Sequence, residues 1–469
     1  MTETLAAPAD AELEARYRAR SLWLEGVPEP LTPRPGLGAD IDCDVAIVGG
    51  GFTGLWTAYY LKQLDASLRV VVLEREIAGY GPSGRNGGWV SSGIAGSARA
   101  YGHDRTDDAV LRALRETYAT VDEVGRVVAQ EGIDCGYLKA GALTVAMTEP
   151  QRARLVSNTA RTYERGDIDR ELRPAEVEEF VRVPGVLAAS HSPHGARVNP
   201  GRLVRGLAHV CERLGVEIYE RTAALDIAPG RVRCDRGSVR ADTVIRATES
   251  YTTQFPGESL RYLPLYSLMI ATEPLPEEVW QELGWRDGLL VCDVHHLFFY
   301  AQRTSDGRIA IGGRGAPYQL RRPISEEHER SDEVRERLTQ SLRRHFPAAA
   351  EAAITHHWGG PLAVPRDWSM AINFDRGTRF GFAGGYSGHG VVASNISGRT
   401  LADLVLGRET DLVTLPWVGH RSPRWAPEPA RFLASRAIVG LLRQADRLED
   451  RTGRPARRTR LVAPFLAPR

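Results

Sequence analysis

Lysine is almost missing from this chain. Of 60 basic residues only Lys62 and Lys139 are lysine, so no mechanism can call on an amine side chain in the last two-thirds of the sequence. Cysteine is scarce as well. The five present, Cys43, Cys135, Cys211, Cys234 and Cys292, lie far apart and make no CxxC pair. That spacing argues against a disulfide framework or a structural zinc site and predicts a reducing, cytoplasmic setting. Long apolar runs are absent: none approaches the roughly 18 residues of a membrane span. The first residues, MTETLAAPADAELEARYRAR, have no basic segment leading into an apolar one, so no secretory signal is expected. Strong charge of either sign is lacking too. A formal net charge of +1 gives no case for nucleic acid or a membrane as partner, and RRTR at 457–460 reads as a solvated tail.

What remains is ordinary globular material, 42% hydrophobic and 25% charged, in a chain of 469 residues, longer than one core usually organises. The most specific stretch is CDVAIVGGGFTGLWTAYYLKQL. A buried-strand run at Val45–Val48 enters Gly49, Gly51 and Gly54 at GxGxxG spacing, and Leu55, Ala58, Tyr59, Leu61 and Leu64 then form an apolar helical face. Gly49 permits the tight turn, Gly51 lets a pyrophosphate approach the backbone, and Gly54 lets the helix pack on the strand. The next strand, within LRVVVLERE, ends at Glu74, placed to accept hydrogen bonds from a ribose diol. This unit predicts dinucleotide binding.

Two further glycine-rich passages follow. IAGYGPSGRNGGWVSSG interleaves Gly84, Gly87 and Gly88 with Ser83, Arg85 and Asn86, and GGYSGHGVVASNISG runs into a helix-compatible stretch late in the chain. An NAD dehydrogenase would leave both without a task, whereas an extended FAD would use them. VGGGFTGLWTAYYL, GPSGRNGGWVSSG and GGYSGHGVVASNISG, in this order, resemble the D-amino-acid-oxidase-type flavoproteins, and within them the gamma-glutamylputrescine oxidase-like branch. SLWLEGVPEPLTPRP and WAPEPARFL fit the same branch, so the resemblance spans nearly the whole chain. It implies bound FAD with Phe52, Thr53 and Arg75 beside the first motif, Ala223 near the adenine, and Ala247 and Thr248 under the cofactor. It further implies that Gly385, Ser387, Gly388, His389 and Gly390 line the flavin. Relatives that attach FAD covalently do so through a cysteine before the late glycine segment. Here HHWGGPLAVPRDWSM has none, which predicts non-covalent FAD.

The expected fold class is α/β, α+β overall: a discontinuous Rossmann-like FAD-binding domain with an inserted antiparallel-sheet substrate domain and a helical C-terminal extension. The expected segments are an N-terminal arm at 1–41, an FAD domain at 42–98, 192–262 and 355–410, a substrate domain at 99–191 and 263–354, and the extension at 411–469. Two strand-like runs flanking Ser305-Asp306-Gly307 predict a hairpin in the inserted sheet.

Hydride transfer from an amine requires a neutral amine and good alignment but no strong general base. The leading expectation is an FAD-dependent oxidase or dehydrogenase acting on a primary or secondary amine, with O2 or another acceptor. The alternatives are an amino-acid oxidase and a flavin-bearing non-catalytic subunit. Candidate residues around the flavin are His389, Tyr300, Arg314 and Trp358, with Trp89, Tyr266 and His296 as further pocket candidates. His389 reads equally as scaffold or as acid or base, and Arg314 equally as a carboxylate clamp or a surface residue. The lysines that activate oxygen and grip a carboxylate in sarcosine-oxidising relatives have no counterpart here, which disfavours such a substrate. The adjacent pairs His295-His296 and His356-His357 would point to opposite faces of strands, and no metal is expected.

Overall fold

The computed structural model describes residues 10–104, 107–163, 169–313, 318–320 and 324–462. Arg314 lies outside them.

Ile41–Val48 and Val70–Leu73 are rich in β-branched residues, and Val45–Val48 and Val70–Leu73 are buried throughout, as central parallel strands must be. They pair in parallel, Val45 opposite Val70. On its other edge Ile41–Val48 pairs in parallel with Gly237–Arg246, so that Val48 lies beside Arg246. Phe380–Gly384 joins the C-terminal half of that strand, again in parallel, and Glu217–Tyr219 closes the far edge. The strand ends at Val48, Leu73, Arg246 and Gly384 are thereby gathered at one edge of the sheet, where ligands of open α/β sheets bind. The helices Phe52–Leu64 and Gly390–Val405 pack against each other with Gly398 at the contact.

A second sheet of eight strands has the order 354–364, 263–272, 309–313, 299–303, 290–293, 142–146, 188–192, 170–172. The hairpin read from Ser305-Asp306-Gly307 is there: Phe299–Arg303 pairs antiparallel with Ile309–Gly313. The sheet departs from the antiparallel expectation at one pair, Leu290–Asp293 beside Ala142–Ala146, which runs parallel. The strand Ile354–Val364 pairs along its length with Leu263–Thr272. The expected segment boundary at 355 therefore falls inside a strand of this second sheet.

Alternation along the strands divides the second sheet into two faces. Tyr266, Leu268 and Ile270 pack with Phe299, Ala301 and Ile311 beneath the helix Asp332–His345, which contributes Val334, Leu338 and Leu342. Ser267, Tyr300 and Gln302 belong to the opposite face, and this face meets the glycine-rich turns: Tyr300 abuts Gly87, and Gln302 Nε2 donates to Gly87 O. The mixed α/β class expected from the sequence is the class observed.

A Cβ at Gly398 would lie 2.5 Å from Trp56 Cβ and 2.7 Å from the Trp56 carbonyl carbon. Gly398→Val should therefore force the two helices apart and cost about 1–3 kcal/mol. Urea unfolding checks this, the midpoint falling while the slope stays constant.

Candidate active site

Close backbone approach builds the first turn. Gly49 has φ +114°, a left-handed conformation, and a Cβ there would lie 2.5 Å from Ala247 O. A Cβ at Gly54 would lie 2.0 Å from Gly49 O, so the helix could not seat on the strand with any other residue. Gly51 is the N-cap of Phe52–Leu64 and brings no side chain to cap it. The chain closes the turn with neighbours instead. Gly50 N–H donates to Glu74 Oε2 at 2.8 Å, Phe52 N–H donates to Ser83 Oγ at 2.9 Å, and Thr53 Oγ1 lies 2.8 Å from the Tyr386 hydroxyl.

The second turn is locked by Asn86, whose Nδ2 donates to Pro82 O and Ser83 O while its Oδ1 accepts from Gly88 N–H. Arg85 is buried. It donates to Gly359 O and the Tyr251 hydroxyl and pairs with Glu329, which also takes Arg20 from the N-terminal arm. The same arm grips this turn through Ser21 Oγ to Gly84 O and Trp23 Nε1 to Asn86 O. In the third turn Gly385, Ser387 and Gly388 all have positive φ, +79°, +51° and +109°, and His389 is the N-cap of Gly390–Val405. Two helix starts with bare backbone thus flank one space, and helix starts favour anionic groups.

That space is a cavity of about 580 Å³. From the first turn and its surroundings it is lined by Gly49, Gly51, Phe52, Thr53, Glu74 and Arg75. Ser83, Arg85, Asn86 and Gly87 line it from the second turn; Ala223, Ala247 and Thr248 from strand ends; Ser387, Gly388, His389 and Gly390 from the third. Four expected cofactor residues stand behind this lining, each as a glycine demanded by packing. Gly54 backs onto Gly49, and a Cβ at Gly84 would lie 2.3 Å from Gly79 O. Gly88 is set against Gln302 and Gly385 against Pro365.

Of the catalytic and pocket candidates, Tyr300, Trp89 and His389 line the cavity. Tyr300 fits a slot between two glycines: a Cβ at Gly87 would lie 2.5 Å, and one at Gly312 2.4 Å, from its ring. Its hydroxyl lies 2.8 Å from Ser267 Oγ, and its ring meets Trp89 edge-on at 5.9 Å. Trp358, expected at the flavin, does not line the cavity. It is buried at the sheet edge, edge-on to Trp23 and packed with Leu22 and Met269, and its Nε1 donates to Arg85 O, so it supports the second turn from outside the cavity. Tyr266 belongs to the helix-covered face. His296 stands in the loop after Leu290–Asp293, next to Asp446 and Glu449 of the C-terminal helix Ala430–Thr452. Asp446 accepts from the backbone of His296 and Leu297, and Glu449 accepts from Arg154 and Ala456 N–H, so these groups tie that helix to the loop after Leu290–Asp293 and to the helix Glu149–Tyr163. Arg314, outside the described residues, has no structural account.

Sequence reasoning missed Glu249, Tyr251, Phe298 and Tyr386, all of which line the cavity. Glu249 follows directly on Ala247-Thr248. Its Oε1 accepts from Gly385 N–H and Tyr386 N–H and its Oε2 from Ala363 N–H, joining three strand ends. Its φ of +44° is a conformation most side chains avoid, and an acid at a tight turn straight after a buried strand is the signal that was available. Burial pushes the carboxyls of both Glu74 and Glu249 up to about 7, against the pull of the backbone N–H groups they accept.

A sheet with a parallel core, a bare helix start, an acid at the second strand end and two further bare turns around one cavity define the class, a dinucleotide-binding oxidoreductase. The family model described as "FAD dependent oxidoreductase" matches residues 44–404, and the chain belongs to this DAO family; its cofactor is FAD. The chain is similar to gamma-glutamylputrescine oxidoreductase of Escherichia coli, at 31% identity over 79% of this chain and 85% of that protein. It is also similar to glycine oxidase of Bacillus licheniformis, at 22% identity over 78% of this chain and 93% of that one. Among solved structures, glycine oxidase from Geobacillus kaustophilus superposes with a TM-score of 0.65 at 21% identity, covering 79% of this chain and 96% of that chain. L-proline dehydrogenase from P. horikoshii gives 0.64 at 19%, covering 82% and 98%.

Because the folded apoprotein raises the Glu74 carboxyl to about 7, its protonated form is favoured up to about that pH; the corresponding stability is present below the ordinary carboxylate range and lost as pH rises through about 7. Hydroxyl donors from a ribose favour the opposite, ionised form. Affinity for FAD should therefore rise with pH up to about 7 and level off above it, and Glu74→Gln should flatten that dependence. Glu74→Ala should weaken binding by about 1–3 kcal/mol. Titration of apoprotein with FAD across this pH range reads both.

Proposed function

We propose that this oxidoreductase oxidises a primary or secondary amine by hydride transfer to FAD, the imine hydrolysing to an aldehyde plus ammonia or an amine. Hydrogen peroxide forms where oxygen is the acceptor. The observation that carries the reading is the aromatic wall of Trp89, Phe298 and Tyr300, seated directly on the Gly87 turn with the Ser267–Tyr300 hydrogen bond at its back. Such a wall excludes water and orients a neutral amine through its apolar chain, which is what hydride transfer asks of the protein.

The residues present fit FAD. In this reading the backbone at Gly51 and Phe52 receives the pyrophosphate, Glu74 accepts from the ribose, and Ala223 borders the adenine. Ala247 and Thr248 lie under the cofactor, and Gly87 and the Gly388–Gly390 backbone face the ring system. Bound FAD supplies the hydride acceptor. The Gly390–Val405 helix start, with His389 at its N-cap position, aims fixed positive dipoles at the charge that accumulates on reduction. The division of labour we propose gives the first sheet to the cofactor and the second sheet to the substrate. Five free cysteines, none in a disulfide, support placement in the cytoplasm.

The competing reading, a small amino or N-methylamino acid as substrate, is favoured by the similarity to glycine oxidase. Anaerobic stopped-flow reduction separates the two. Primary amines on extended chains, with or without a remote anionic group, should reduce the flavin faster than glycine, sarcosine or D-alanine. Small amino acids faster by tenfold or more in k/K, about 1.4 kcal/mol in transition-state binding, would replace the amine reading. The flavin is expected to be non-covalent, so acid precipitation should leave all of the yellow colour in the supernatant.

A further inference from the structure

Glu249 is costly on two counts, and neither cost is required by the fold of the strand it follows. It holds a left-handed φ of +44°, where glycine would be unstrained, and it half-buries a carboxylate in the cavity wall, where desolvation raises it. Its two oxygens accept three N–H groups, one from Ala363 in the strand Ile354–Val364 and two from Gly385 and Tyr386, which start the turn that leads through Gly388 to the helix at Gly390. It lines the same cavity as that turn.

We propose that Glu249 is a positioning and charge-compensating residue: its carboxylate fixes the third turn against the cofactor, and it takes up one proton from solvent when two electrons enter the cavity. The proposal rests on the reading of this cavity as an FAD site. The balance is simple. The reductant delivers two electrons; the one proton the cofactor takes comes with them as hydride, or from water when the reductant donates electrons alone, and Glu249 passes from carboxylate to carboxylic acid by gaining one further proton from water. No bond to Glu249 other than O–H forms.

Two cavity carboxyls are held near 7, but in the reading above the ribose keeps Glu74 ionised whatever the redox state, which leaves Glu249 as the group that responds. Burial already holds its carboxyl near 7, so added negative charge in the same cavity moves it through the neutral range. The titratable groups facing it are the hydroxyls of Tyr262 and Tyr386, both pushed far up by burial and so neutral throughout. Tyr251, two residues along, is also pushed up. The arginines on adjoining segments are committed elsewhere, Arg85 to Glu329 and Arg246 to Glu258.

The test is the pH dependence of the midpoint potential of the holoprotein, reduced with dithionite so that no substrate is involved. In wild type, just above about pH 7, reduction should take up nearly two protons per two electrons, falling toward one well above and well below that range. In Glu249→Gln it should take up one throughout, and the potential should lie above wild type at alkaline pH and converge with it at acid pH. A variant potential equal to or below wild type at every pH would overturn the proposal, because lost alignment without lost charge acts in that direction. If the variant does not retain FAD, proton uptake by wild type on reduction, measured with an indicator dye, decides: an excess over one proton near neutral pH supports the proposal, and one proton at all pH values overturns it. A wild-type protein that binds no FAD would instead remove the reading on which the proposal rests.

Discussion

Backbone N–H groups where strands end have few partners within a sheet, and this chain satisfies five of them with two half-buried carboxylates beside one cavity. Glu74 takes Gly50 and Glu76; Glu249 takes Ala363, Gly385 and Tyr386. Each costs desolvation, visible in carboxyls held near 7, and each orders a glycine-rich turn that side chains could not order without filling the space. The shape of the cavity follows from these two anchors and from the glycines that let backbone approach backbone.

A second layer of support comes from outside the family-matched region at 44–404. The N-terminal arm supplies Ser21 and Trp23 to the carbonyls of Gly84 and Asn86, and Arg20 shares Glu329 with the buried Arg85. Trp358 adds its own hydrogen bond to Arg85 O. The second glycine turn is therefore held on its outer side by indoles and a guanidinium–carboxylate network, while its inner side stays bare. Preorganisation of this kind places the cost of ordering the turn in folding instead of in cofactor binding.

The glycine turns were legible because their demands are local. A left-handed φ at Gly49 and the contact of Gly54 with Gly49 O are set by residues within one strand–turn–helix unit. Glu74 was legible for the same reason. The faces of the second sheet were not. Tyr266 and Tyr300 are both tyrosines in strand-like runs, and only the packing of Asp332–His345 on one side decides that the first is core and the second lines the cavity. Trp358 depends on a contact with Trp23, more than three hundred residues away in sequence, that no local pattern announces. Glu249 was passed over because its partners come from two strand ends more than one hundred residues distant.

The central claim is that bare backbone at the first helix start receives the cofactor, and binding of FAD to the apoprotein tests it most directly. A Cβ at Gly51 would come within 2.9 Å of Ser83 Oγ alone among close neighbours, a side chain able to turn aside, so Gly51→Val should leave the fold intact while occupying the approach to the N–H groups. Titration of folded apoprotein should give one FAD per chain for wild type and an affinity at least tenfold weaker for the variant. Unchanged affinity in a folded Gly51→Val protein would contradict the account.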